Sequence, residues 1–100
     1  MAPLLAGYWD SVQEDMSLID QALSTQQAES LQQIAHAAKG AARSAGAEPL
    51  ANYFESLQHN ALSQDWEQLS ETINASHKEV QRLAHYLVNH SYIDNTEVTL

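Results

Sequence analysis

Cysteine is absent from this chain of 100 residues. Its absence excludes disulfides and thiolate metal sites and fits a reducing, cytoplasmic setting. Basic residues are scarce, with four Lys and Arg against thirteen Asp and Glu and a formal net charge of −9. Such a surface repels nucleic acid and anionic membranes, so neither is expected as a partner. No apolar run approaches the ~18 residues of a membrane span, and the N-terminus lacks the basic-then-apolar pattern of a signal peptide. Also missing are a Gly-x-x-x-x-Gly-Lys loop for nucleotide phosphates, a Glu-x-x-His pair for a di-iron bundle and a Cys-x-x-Cys-His haem site. His77, His85 and His90 never fall at the one-turn spacing of a helical metal clip, so no metal site is expected; these three and His59 read as solvated or half-buried helix residues.

Helical periodicity dominates what is present. Leu5, Tyr8, Trp9, Val12, Met16, Ile19 and Leu23 recur at three- and four-residue steps, predicting an amphipathic helix over 4–24 with Pro3 in its first turn. After a polar break at Ser24–Gln27, a second helix is expected over 27–45, ended by Gly46 in the left-handed conformation. Pro49 opens a third, with Leu50, Phe54, Leu57 and Ala61 on one stripe, and Ser63 and Gln64 form a short loop. Asp65 caps the fourth, with Gln68 at the capping-box position, and Trp66, Leu69, Ile73, Val80, Leu83 and Leu87 carry it over about 66–91. The tail at 94–100 is polar and expected to fray. Hydrophobic residues make up 44% of the chain, enough for one small domain over 1–100 with its own core. Short connections make neighbouring helices antiparallel, so the expected fold is all-α, an antiparallel up-down four-helix bundle. Tyr8, Trp9, Phe54 and Trp66 lie in the apolar stripes and are expected in or beside its core.

The second helix holds the one unusual cluster. In Ile34-Ala35-His36-Ala37-Ala38-Lys39-Gly40-Ala41-Ala42-Arg43, alanine fills most positions and the few reactive side chains stand out. His36, Gly40 and Arg43 fall within about 60° on a helix, with Lys39 at the edge of that sector, while Leu31, Ile34, Ala38, Ala42 and Ala45 lie opposite. Glycine inside a helix costs roughly 0.8–1 kcal/mol relative to alanine. A side chain at position 40 would lean over His36, because helical side chains point toward the preceding turn. Gly40 therefore uncovers the imidazole, and Lys39 and Arg43 set positive charge beside it. The plainer explanation is a tight helix crossing at Gly40 and an ordinary surface histidine at His36.

These residues resemble the pattern of the histidine-containing phosphotransfer (HPt) family. The family pattern is an apolar residue, Ala and His, then Lys-Gly, then a helix-ending Gly-Ala or Gly-Leu and a Leu; here it reads Ile34-Ala35-His36, Lys39-Gly40, Gly46-Ala47 and Leu50. Gln58 falls where several members place a glutamine beside the phosphorylated histidine. The chain departs from the pattern in its alanine-rich helix, where members more often carry Leu or Phe before the Lys and Ser after the Gly. The resemblance implies a phosphorelay intermediate in which His36 takes a phosphoryl group from one receiver-domain aspartate and yields it to another. A free imidazole titrates near ~6.5, so at neutral pH it keeps a nucleophilic nitrogen. Lys39 would neutralise the phosphoryl oxygens, with Arg43 acting at longer range or on the receiver's acidic rim. Gln32, Lys39, Gly40, Arg43 and Gln58 are the residues expected to meet the receiver. No cofactor is expected of this chain, Mg²⁺ belonging to the receiver, and no autonomous catalysis.

A monomer is expected, and the abrupt start near the first helix suits the C-terminal module of a hybrid sensor kinase, placed on the cytoplasmic side. The competing assignment is a non-phosphorylated helical module that only docks a receiver or another partner. The presence of His36 favours the carrier, since degenerate relatives typically lack it.

Overall fold

In the computed structural model, residues 2–90 are described, with side chains from Ala6 onward. Helix α1 spans Ala2–Ser24, α2 Ala28–Ala45, α3 Glu48–Asn60 and α4 Trp66–Asn89, with a 3-10 turn at Ala61–Ser63 between the last two. No strand occurs among the described residues. Helix α1 packs on α2 and α4, and α3 packs on the same two, while the diagonal pairs barely touch. The chain is a four-helix bundle. No helix among the described residues is long and apolar enough to cross a membrane. The tail at 94–100 and residue 91, the expected end of the fourth helix, lie outside the described residues, as does the side chain of Leu5.

The helix ends follow from local chemistry. Gly46 adopts φ 82, and the amides of Gly46 and Ala47 donate to the carbonyls of Arg43 and Ala42. This is the paired closure that satisfies orphan carbonyls at a helix end. The end of α1 closes in the same way with Gln26 at φ 53, its amide donating to Leu23 and that of Gln27 to Ala22. A glutamine there does the work that glycine does after α2. No side chain of the Ser24–Gln27 break caps α2; Gln27 takes the capping position but its side chain accepts from the Ser30 hydroxyl rather than from a backbone amide, and Thr25 donates back to the Gln21 carbonyl. Asp65 caps α4 by accepting from the Gln68 amide at 3.2 Å. The reciprocal half of that capping box is filled by Ser63, whose hydroxyl accepts from the Asp65 amide. The expected loop at Ser63 and Gln64 is thus a 3-10 turn that folds the buried Ala61 into the core, with Gln64 left-handed after it.

The core joins large side chains of α1, α3 and α4 to one leucine and four alanines of α2. Trp9, Val12, Ile19, Phe54, Leu57, Leu69, Ile73 and Leu87 are buried. Helix α2 contributes Leu31, Ala35, Ala38, Ala42 and Ala45. Small side chains let helix axes approach closely, and α2 makes the most extensive packing, on α3 and α1. Ile34, expected inside, is only partly buried, and Ala35 takes its place. Tyr8 is buried and Trp66 packs at the core's edge. Ser76 is a buried polar residue on α4, its hydroxyl donating to the Thr72 carbonyl at 2.9 Å.

Candidate functional site

Turning the alanine stripe of α2 inward turns His36 outward, midway along the helix. His36, Gly40 and Arg43 are exposed, while Lys39 is half-buried rather than fully solvated. A Cβ built at Gly40 meets nothing within 4 Å. The tight crossing that would have explained this glycine by packing is therefore absent. What remains is open space beside an exposed imidazole.

Gln58 reaches this region from α3. It lines a small cleft together with His36, Gln32 and Gln33. Its Oε1 is buried and has no hydrogen-bond partner. No hydrogen bond joins it to His36, so the two share a cleft without being bonded. Gln33, which sequence reasoning did not single out, completes the wall one turn before His36.

Lys39 sits on the other side of Gln58, in a polar cleft walled by Asn52, Glu55, Ser56, His59 and Asn60 of α3. It forms no ion pair among the described residues. Arg43 does: its Nη2 lies 3.2 Å from Oε1 of Glu55, with both side chains about half exposed. The two cations expected beside His36 are therefore unequal, one open and one held by a carboxylate. Glu55 was not anticipated. Its placement one turn before Gln58, on the same side of α3, was the available signal.

Of the other histidines, His59 walls the Lys39 cleft and the other three line neither that cleft nor the one beside His36. His59, His85 and His90 are exposed. His90 stacks on Tyr86, ring centres 4.1 Å apart, with Nδ1 2.8 Å from the Tyr86 carbonyl oxygen. His77 binds across the bundle to Asp20 of α1, Nε2 lying 2.8 and 3.0 Å from the two carboxylate oxygens. Among the described residues no three His, Asp or Glu side chains cluster as a metal site would require. One further polar pair is buried in α1: the Tyr8 hydroxyl and Oδ2 of Asp15 both lack partners. Burial, with the Glu14 charge adding to it, pushes the Asp15 carboxyl above its ordinary range. Burial and the Asp15 charge push the Tyr8 hydroxyl up as well.

The Hpt domain family model matches residues 3–86, and the chain belongs to that family. Hpt domains take part in phosphotransfer within two-component phosphorelays, where they interact with receiver domains. Neither the curated proteins nor the solved structures contain a match to this chain.

Proposed function

We propose that this domain carries a phosphoryl group on His36, received from an aspartyl-phosphate of one receiver domain and passed to the aspartate of another. The observation that carries this is the pairing of an exposed His36 with a Gly40 whose missing side chain would have stood in open space. Among the five histidines only His36 has a glycine and two cations on its own helix face.

The transfer is an in-line displacement at phosphorus. The lone pair of one neutral ring nitrogen forms the N–P bond as the bond from phosphorus to the aspartyl oxygen breaks, and the carboxylate leaves with the electron pair. The proton on the other ring nitrogen is then free to pass to solvent. Onward transfer reverses these bond changes on the second receiver. Such reactions depend mainly on positioning and on neutralising the phosphoryl oxygens, so the carrier supplies an accessible nitrogen and a cation. Lys39 is that cation. Gln58 shares the cleft of the ring without bonding it in the free domain, and during transfer it would orient the ring by accepting from one nitrogen. Gln32, Gly40 and Arg43 complete the face that meets the receiver, which brings its own Mg²⁺. In this assignment the four helices alternate in direction, as their short connections favour, and the domain acts as a monomer. A free-standing cytoplasmic carrier and the C-terminal module of a hybrid sensor kinase would use the same face.

The test is a receiver domain charged with labelled phosphate. The wild-type chain is expected to take up label as an acid-labile, base-stable adduct, and His36→Gln to take up none while keeping its helical circular dichroism. Label persisting in that variant would exclude His36. Receiver binding without label in the wild type would make the domain a docking module only.

A further inference from the structure

Accepting the carrier function just described, we propose that Glu55 is a specificity-determining residue of the docking face, which acts by occupying Arg43. The observations are three. Arg43 is bound by Glu55 at 3.2 Å. Both side chains remain about half exposed and so open to competition. Glu55 also lines the cleft that holds Lys39, so the carboxylate that binds one cation of this face lies in the cleft of the other.

Position decides what this does. Arg43 lies two helical turns from His36, about 10 Å along the axis at ~1.5 Å per residue. A docked domain covers roughly 800 Å² per partner, so a footprint centred on His36 includes the Arg43–Glu55 pair. A receiver's phosphorylation site is itself anionic, because an aspartate and a Mg²⁺ site are built from carboxylates. Such a rim would be drawn to Arg43, but it reaches that guanidinium only by displacing Glu55, and in doing so it brings like charges together. A receiver that places a basic side chain against Glu55 meets neither obstacle. Discrimination therefore comes from a repulsive element beside an attractive one. Rim charges of this kind act mainly on encounter and salt dependence, and less on events at the reacting centre.

The experiment compares wild type, Glu55→Gln, Arg43→Gln and the double variant against a panel of receiver domains, by titration for affinity and by single-turnover label transfer. For the receiver that binds wild type most tightly without a basic residue at the contact, Glu55→Gln should strengthen binding about threefold at low salt, the scale of an exposed pair. The gain should shrink at high salt and be absent when Glu55→Gln is added to Arg43→Gln. Affinities across the panel should also draw closer together. The transfer rate of Glu55→Gln at saturating receiver should not move, a result that separates partner choice from chemistry. Equal strengthening in the Arg43→Gln background, an unchanged affinity, or a change confined to the saturated transfer rate would each overturn the proposal. Absence of label on wild type would defeat the carrier function instead, and the affinity arm would still decide the role of Glu55.

Discussion

Gln58 and His36 stand on different helices and wall the same small cleft, yet the Gln58 amide oxygen is buried with no partner. A buried acceptor left unsatisfied costs about 1–3 kcal/mol. That cost is borne by a residue whose proposed task is to bond the imidazole during transfer. Stability and function should then separate on substitution. Gln58→Met keeps the length of the side chain and removes the amide, so it is expected to melt no lower than wild type while slowing single-turnover transfer to His36. Thermal unfolding and labelled-receiver kinetics check the two halves. A variant that melts lower but transfers normally would make Gln58 a packing residue.

Asp65, Gly46 and Pro49 were legible as helix boundaries because capping and helix termination are local, decided within a few residues of chain. The inward stripe of α2 was legible from its periodicity, except that Ala35 is buried where Ile34 was expected, and with it the exposure of His36. The ion pairs were not. Arg43–Glu55 and His77–Asp20 join different helices, and each depends on the rotation and axial offset of one helix against another, which periodicity leaves open. The partial burial of Lys39 has the same origin, since polar residues of α3 wall its cleft. Likewise, the 3-10 turn at Ala61–Ser63 keeps Ala61 buried, as its place on the apolar stripe of the third helix predicts, but as a tighter turn than periodicity alone distinguishes.

Lys39 and Arg43 should differ in their effect on transfer. Lys39 has no carboxylate partner among the described residues, whereas Arg43 is held by Glu55. Alanine at Lys39 is expected to change stability by about 0.5 kcal/mol or less and to slow single-turnover transfer by about tenfold or more, because it removes charge facing the developing phosphoryl oxygens. Arg43→Ala should slow transfer less, and should lose the ~0.2–1 kcal/mol of an exposed ion pair. Equal rates for wild type and Lys39→Ala would remove its electrostatic role.

Asp15 makes stability depend on pH in a predictable direction. Its carboxyl pKa is raised in the folded chain by burial and by Glu14, and Oδ2 has no partner. A carboxyl whose folded pKa lies above its unfolded value contributes stability below the unfolded pKa, and that contribution is lost as pH rises through the folded pKa. At neutral pH the ionised Asp15 therefore works against the fold. Asp15→Asn should melt a few degrees above wild type near neutrality, and the difference should close as the pH falls through the raised folded pKa and the wild-type carboxyl takes up its proton. Paired melting curves across that range measure it. A difference that stays constant with pH would mean that the gain comes from packing and not from charge.

Gly40 sets helix propensity against docking. A Cβ at this position meets nothing within 4 Å, so alanine fits without strain and should stabilise the bundle by up to ~1 kcal/mol. A longer side chain would extend over the preceding turn, where His36 lies. Gly40→Gln and Gly40→Leu are therefore expected to melt no lower than wild type while losing most of their transfer rate, with Gly40→Ala between them and wild type. The opposite signs make a damaged fold an insufficient explanation, because unfolding would lower both quantities together. Melting curves and single-turnover transfer on the same preparations decide the matter. If Gly40→Leu melts normally and transfers at full speed, the bare surface beside His36 is not needed for a receiver to approach, and the glycine would have to be explained by something other than access to the imidazole.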